Sequence, residues 1–155
     1  MALVRGVVPR MLQEGNLQWD ESYPNERIFR SDISRNQLWL AEVSDTIAGL
    51  AAITTDPEPE YAQAGLNVNE PAVVVHRLAV DVSFRGAGIA RTLMHHAEQI
   101  AAERGIPTMR VDTNIQNEAA QRFFLKLNYR LAGEISLNIR PGLRVVCYEK
   151  RIRLP

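Results

Sequence analysis

The chain has 155 residues, of which 46% are hydrophobic and 23% charged, the ordinary balance of a globular protein that buries its own core. Its 18 basic and 18 acidic side chains cancel, so no global field favours nucleic acid or an anionic membrane. The single Cys147 excludes an internal disulfide framework, and no apolar run reaches the ~18–20 residues of a transmembrane helix. We therefore expect one cytoplasmic domain over residues 1–155, without a nucleic-acid or membrane partner.

The first part of the chain, up to residue 34, shows weak patterns. Residues 3–19 form a short apolar segment broken at Pro9, followed by a helical turn. Residues 20–34 are polar and predict a loop or an irregular helix. Trp19 and Tyr23 either pack on the core or line a substrate pocket.

A β-hairpin and a long acidic loop come next. Two apolar runs, at residues 37–43 and 46–53, flank a two-residue turn and predict paired strands. Gly49 within the second run indicates a β-bulge or a close approach of another backbone. Residues 54–70 are acidic and contain two prolines, so we expect a long loop, which is either the wall or lid of a site or a disordered segment.

The middle of the chain predicts a strand–helix–strand unit. Residues 72–80 are almost continuously apolar, which is typical of a strand buried on both faces of a sheet. Apolar side chains then recur at helical spacing over residues 88–104, and Gly105 followed by Pro107 ends that helix. Residues 109–113 form the next strand, and a crossover of this kind is expected to leave the two strands parallel.

A second helix and two more strands complete the pattern. Residues 117–127 carry an apolar stripe at i, i+3, i+4 and i+7, and the polar residue Asn114 or Asn117 marks the helix start. Residues 129–135 and 143–150 predict strands joined by a Pro-Gly turn. The fold class is therefore α/β, with a mixed sheet flanked by helices.

The segment RGAGIA, residues 85–90, lies between the buried strand and the helix that follows it. A glycine-rich bend at a helix N-terminus points backbone N–H groups outward, where the dipole favours an anion such as a pyrophosphate. The segment lacks the Lys-Ser/Thr of a P-loop and is not the G-x-G-x-x-G of a dinucleotide fold. A purely structural tight turn would use the same glycines, so the residues alone leave both interpretations open.

Two segments resemble one known family. RGAGIA, preceded by LAVDVSF, resembles the R/Q-x-x-G-x-G/A signature of the GNAT superfamily of N-acetyltransferases, and residues 117–129 resemble its N-x-x-A-x-x-F-Y-x-K-x-G-F stretch. The strings HRLAV, RVDT and YEK are similar to those of a group of small bacterial acetyltransferases. The resemblance spans residues 72–129. It implies a GNAT-like fold, with a mixed, mostly antiparallel sheet, a splay between two parallel strands, and a cofactor-binding core at about 72–130.

The same resemblance implies acetyl-CoA as the cosubstrate. Backbone groups of residues 78–80 would bond the pantetheine arm, and the N–H groups of residues 85–90 would surround the pyrophosphate. The cofactor-binding residues implied in this way are Leu78, Ala79, Val80, Arg85, Gly86, Ala87, Gly88, Ile89, Ala90, Asn117, Phe124 and Lys126. Bulky side chains in place of Gly86 or Gly88 would keep a phosphate away from the amides.

Three departures from the family pattern bear on activity. Phe124 stands where the family usually has a Tyr thought to protonate the departing CoA thiolate, so water, Tyr129 or Cys147 replaces that acid, or activity is lost. A thiolate with a pKa near ~8.5 is a fairly good leaving group, so a missing acid is tolerable. Asn128 and Tyr129 replace the usual Gly-Phe. The strand that normally precedes the first helix is not evident: either the chain starts after it, or residues 2–8 supply it.

Direct attack of an amine on the thioester needs a base for the ammonium proton and a donor at the carbonyl oxygen. By resemblance the donor is the backbone N–H near Val80. His76 and Asp112 are the expected catalytic residues. His76 carries an imidazole, whose unperturbed pKa of ~6.5 suits a base at neutral pH, and the alternative is a core histidine, since it shares a strand face with Val74 and Leu78. Asp112 either takes an amine proton, holds a cationic substrate, or caps the helix after it. Glu70 is a third candidate base, or a solvated loop carboxylate.

We therefore expect an acetyl-CoA-dependent N-acetyltransferase acting on an amine of a small molecule or peptide, with a homodimer compatible with the resemblance. The alternative is a non-catalytic acyl-CoA-binding or regulatory domain of the same fold. A third hypothesis is a nucleotide-binding α/β module. Asp56, Glu58 and Glu60 suggest a cationic acceptor, or simply a solvated loop. His95 and His96 point in different directions on a helix without partners at i+4, so we expect no metal site.

Overall fold

The computed structural model describes residues 1–56, 58–138 and 140–155, which are arranged around a six-stranded sheet. The strands are β1 (Leu38–Val43), β2 (Thr46–Thr54), β3 (Val73–Val80), β4 (Thr108–Asn114), β5 (Arg130–Ser136) and β6 (Arg144–Arg151). The helices are α1 (Ala2–Gln13), α2 (Glu26–Ser34), α3 (Ile89–Glu103) and α4 (Glu118–Lys126), with shorter 3₁₀ helices at Pro59–Ala64 and Val82–Phe84. The predicted mixed α/β class is confirmed.

The sheet has the order β1-β2-β3-β4-β6-β5, and neighbouring strands are antiparallel except for β3 and β4. These two are parallel and pair only at residues 73–75 and 109–111. Pairing stops at His76 and Asp112, beyond which β3 pairs with β2 alone. The splay implied by the family resemblance is therefore present, and it leaves the β4-facing edge of β3 without a strand partner.

Helices cover both faces of the sheet. Leu50 and Ala51 are successive residues of β2, so their side chains point to opposite faces. Ala51 belongs to a core cluster with residues of α3 and α4, whereas Leu50 belongs to a cluster with α1, Trp19 and Phe29. A third cluster, around Tyr61, packs on the sheet beneath the segment that joins β2 to β3. The open part of the β3–β4 pair thus has protein layers on each side.

The alternative in which residues 2–8 supply a first strand is wrong, since α1 runs from Ala2 to Gln13 and passes through Pro9. No strand precedes α1 in the described part of the chain. Pro9 lacks the N–H that would bond the carbonyl four residues earlier. Burial of one helical face outweighs that loss. The buried face consists of Leu3, Val4, Val7 and Val8.

The hairpin and both expectations for Gly49 are confirmed. The pairings of β2 with β1 and β3 each shift register next to Gly49. A Cβ added there would lie 2.6 Å from Ile89 Cγ2 and 3.0 Å from the Ala79 carbonyl oxygen. Glycine at this position therefore allows the first residue of α3 to pack directly on β2.

The acidic segment between β2 and β3 is structured over part of its length. The 3₁₀ helix at Pro59–Ala64 buries Tyr61, which is only 1% exposed, against Val74. Within the described residues, none of the helices is both long and apolar enough to cross a membrane.

Candidate active site

A cavity of about 690 Å³ occupies the splay between β3 and β4. Val75 and Val111, the last paired residues, both line it, so the end of strand pairing creates the opening. The predicted site residues that line the cavity are His76, Leu78, Ala79, Val80, Arg85, Ala90, Asp112, Asn117 and Phe124.

Two residues of the RGAGIA segment, Arg85 and Ala90, line the cavity, whereas the four residues between them do not. Gly86 and Gly88 have φ values of 80° and 81°, a region that favours glycine, and Gly88 begins α3 without a side-chain cap. In the described chain the N–H groups of Gly88, Ile89 and Ala90 have no hydrogen-bond acceptor, whereas Ala87 N–H donates to the Phe84 carbonyl. A Cβ added at Gly86 or Gly88 would meet no atom of the chain. Free N–H groups beside open space at a helix start fit an anion.

Arg85 links this bend to α1. Its Nη1 donates to Glu14 Oε1 at 3.1 Å, and Arg10 Nε donates to the same oxygen at 2.6 Å. These two hydrogen bonds hold the pKa of Glu14 below its usual value. All three side chains are about half exposed, so the cluster lies at the rim of the cavity.

His76 also lines the cavity, next to Glu58. Its Nε2 lies 3.0 Å from Glu58 Oε1, but the angles do not make a hydrogen bond, and this buried nitrogen has no partner among the described residues. His76 thus has a carboxylate beside it but no hydrogen bond at Nε2.

Asp112 is the first residue of β4 beyond the segment that pairs with β3. Its Oδ2 accepts from the Tyr61 hydroxyl at 2.6 Å, and its Oδ1 accepts from Gln18 Nε2 at 3.5 Å. Burial raises the pKa of Asp112, opposed by the charge of His76 and by the Tyr61 hydrogen bond. The alternative role as a helix cap is wrong, because Asn117 Oδ1 caps α4 by accepting from the Ala120 N–H.

The other predicted cofactor residues differ in placement. Asn117 lines the cavity while it caps α4, and Phe124, 3% exposed, lines it from the same helix. Lys126 is exposed at the end of α4 and does not line the cavity.

Neither side chain considered as a replacement acid lies in the cavity. Tyr129 is 1% exposed and its hydroxyl donates to Glu98 on α3 at 3.4 Å. Cys147 is fully buried opposite Asp112 in the β4–β6 ladder. Burial raises the pKa of both groups. Glu70 also lies outside, bonded to side chains at the ends of β4 and β6.

The histidine pair on α3 lies away from the cavity. His96 packs against Trp39, with ring centroids 4.2 Å apart, and His95 is exposed. Among the described residues, no group of three or more His, Cys, Asp or Glu side chains is placed to hold a metal ion.

Sequence reasoning missed several side chains that shape the site. Arg77 has a φ of 53°, and its guanidinium bonds both oxygens of Asp32 on α2, at 2.7 and 2.8 Å. The sequence does contain a signal that could have identified Tyr61, because an aromatic residue inside an acidic loop is unusual. Gln18 and Asp32 have none, because their partners are far away in the chain.

Comparison with known proteins identifies the family. The model of the acetyltransferase (GNAT) family matches residues 8–129. The chain therefore belongs to this family.

Solved structures share the fold. A GNAT-family acetyltransferase from Streptococcus agalactiae 2603 is similar with a TM-score of 0.84 and 27% identity, over 99% of this chain and 88% of that one. A Bacillus anthracis acetyltransferase, solved in complex with acetyl coenzyme A, has a TM-score of 0.59 and 20% identity, over 74% of this chain and 61% of that one. At that identity the second likeness concerns the fold alone.

Curated relatives are more distant in sequence. The 5-NmdU N-acetyltransferase of Pseudomonas phage PaMx11 is 24% identical over 141 residues, 86% of this chain and 91% of that protein. N-acetyltransferase 8F1 of Mus musculus is 24% identical over 109 residues, 70% of this chain and 46% of that protein. The chain thus spans about half the length of the mammalian relative.

Proposed function

We propose that this chain is an N-acetyltransferase that moves the acetyl group of acetyl-CoA to an amine by direct attack. One observation carries the proposal. A single cavity at the splay is lined by Ala90, whose N–H is one of the free groups at the start of α3, and by His76, Glu58 and Asp112. An anionic acyl donor at one end and a cationic acceptor at the other would meet at the opening. Family membership and the names of the relatives support the same reaction.

Acetyl-CoA supplies the thioester in this proposal. Its pyrophosphate would accept from the N–H groups between Gly86 and Ala90, with Arg85 as a cationic partner. Its pantetheine arm would pair with the free edge of residues 78–80. Asn117 and Phe124 would line the arm from α4. Lys126 would reach only a part of the cosubstrate that extends beyond the cavity.

His76 is the proposed base. The acceptor ammonium loses one proton to His76 Nε2, directly or through water, and the free amine attacks the carbonyl carbon. The C–N bond forms, the C–S bond breaks, and the second proton of the nitrogen passes through water to the departing thiolate. The Val80 N–H is the proposed donor to the carbonyl oxygen. Asp112 and Glu58 would hold the ammonium group. Phe124 has no proton to give, so the thiolate, with a pKa near ~8.5, leaves with water as its acid.

The test is thiol release from acetyl-CoA with a panel of small amines and peptides. We expect release with at least one amine. His76→Ala should lower kcat by about 10²–10⁴-fold and remove the rise of rate through neutral pH. His95→Ala, an exposed histidine outside the cavity, is the matched control and should leave the profile unchanged. An unaltered profile in the His76 variant would contradict its role as the base.

A non-catalytic acyl-CoA-binding domain is the second candidate, favoured by Phe124 at the position of the usual acid. Stabilisation by CoA with no thiol release from any amine would select it. Stabilisation by ATP but not by CoA would instead select a nucleotide-binding module.

A further inference from the structure

The charged side chains that line the cavity are almost all neutralised in pairs. Four guanidinium groups line it in the described chain, and each is matched by a carboxylate. The pairs are Arg35–Asp56, Arg77–Asp32, Arg85–Glu14 and Arg140–Asp20. Arg140 also donates to the Leu17 carbonyl and lies 5.4 Å from the centre of the Tyr23 ring. The cavity therefore offers no unpaired guanidinium to an anionic group on an acceptor.

Two carboxylates of the lining, Glu58 and Asp112, have no Lys or Arg partner in the described chain. Glu58 faces His76, and the donors to Asp112 are the neutral side chains of Tyr61 and Gln18. Both carboxylates lie beside the end of the β3–β4 pairing. The uncompensated charge of the cavity is thus negative and lies next to the proposed point of reaction.

We propose that the acceptor is an amine whose body carries no carboxylate or phosphate. Amines whose other groups are neutral, and polyamines with several ammonium groups, satisfy this condition, whereas free amino acids and nucleotides do not. The inference rests on the proposed function and specifies its substrate class. An ammonium group is attracted by Glu58 and Asp112, while an anionic group on the same molecule is repelled by them.

An anionic acceptor would have to separate one of the four ion pairs. Separation of Arg77 from Asp32 leaves a buried charge without a partner, which is strongly unfavourable. The Arg35–Asp56 pair is about half exposed and separates more easily. Amines with an anion close to the nitrogen and amines with a distant anion are therefore both needed in a test.

The experiment compares kcat/KM for thiol release from acetyl-CoA within three matched pairs of acceptors. The pairs are tyramine and tyrosine, cadaverine and lysine, and a peptide amide with Ala or Asp at its second position. We expect the member without the carboxylate to be favoured about tenfold or more, the effect of one unfavourable unit charge near the site. Equal or better turnover of the anionic members overturns the inference and leaves the proposed function intact. Release with none of the six overturns both.

A variant that removes the charge of Glu58 tests whether the cavity carboxylates cause the preference for acceptors without an anionic group. Glu58→Gln should reduce the ratio of kcat/KM within each pair several-fold. Glu60→Gln makes the same change in the same segment, outside the cavity lining, and should leave the ratio unchanged. Equal ratios in the two variants and the wild type would overturn the assignment to the cavity charge.

Discussion

The Tyr61 hydroxyl donates a hydrogen bond of 2.6 Å to the carboxylate of Asp112, a residue of the cavity lining. Burial is the main cause that raises the pKa of Asp112, and the hydrogen bond from Tyr61 opposes it. A hydrogen bond donated to an ionised carboxylate favours the ionised form. Tyr61 therefore keeps Asp112 more acidic than burial alone would.

Tyr61→Phe removes that donor, so the pKa of Asp112 should rise further. Under the proposed function Asp112 acts ionised, and activity is lost as pH falls through its pKa. The acidic limb of the pH–rate profile should thus move to higher pH, with a loss of about 1 kcal/mol in the free energy of unfolding. Tyr148→Phe is the control, since its hydroxyl contacts Gln121 at 3.5 Å, and should leave the limb in place. An unmoved limb in the Tyr61 variant would show that Asp112 does not control the rate.

At the scale of elements, a side-chain contact with α2 stabilises β3 at the splay. Arg77 lies in β3 with a positive φ, next to the register shift with β2. Its bidentate bond to Asp32 ties this irregular point to α2; Asp32 is buried and the Arg77 side chain is 15% exposed. The geometry of the opening thus depends on a contact between residues far apart in sequence.

Asp32→Ala should lower the free energy of unfolding by about 3–5 kcal/mol, because it leaves the Arg77 guanidinium buried and unpaired. Urea denaturation measures the loss. Glu26→Ala, on the same helix, removes the partner of Arg30 in an exposed pair and should cost less than about 1 kcal/mol. Similar losses in the two variants would contradict the bracing role.

Elements with a strong periodicity were predictable. The β3–α3–β4 unit and α4 follow from continuous apolar runs and 3.6-residue stripes, and their observed bounds differ from the predicted ones by one or two residues. In α1, the valines and Pro9 suggested a broken extended segment, although burial of one helical face decides the outcome. The splay was expected from the family resemblance alone, since the point where pairing stops depends on tertiary packing.

Candidate site residues could be selected from the sequence where they lie within one continuous segment or element. RGAGIA, His76 and Asp112 lie in or beside strong elements. The partners of Asp112 do not: Tyr61 is 51 residues away and Gln18 is 94 residues away, both in irregular segments. Local patterns carry no information on contacts of this range.

At the scale of the whole molecule, ligand binding should raise the free energy of unfolding and therefore Tm. A ligand that binds only the folded state adds about 2.7 kcal/mol at a concentration of 100 Kd, which for a protein of this size raises Tm by about 5–10 °C. We expect that shift with CoA.

Gly88→Trp should abolish the shift while the protein stays folded, since the new side chain would fill the space beside the free N–H groups. Gly105→Trp is the matched control, with a φ of 67° at the other end of α3 and the same open surroundings. The backbone strain is similar in both, so their Tm values without CoA should agree. Retention of the shift in the Gly88 variant would show that the bend does not hold phosphate.

Under the proposed function, the binding of the cosubstrate beside Arg10, Glu14 and Arg85 would exchange one ion-pair partner for another. Glu14 Oε1 accepts from both arginines, so Arg85 can transfer to a phosphate while Glu14 keeps Arg10. No carboxylate is left uncompensated, and the exposed pair separates at little cost. Under the proposed function, occupation of the bend therefore frees Glu14, the residue that follows α1, from Arg85.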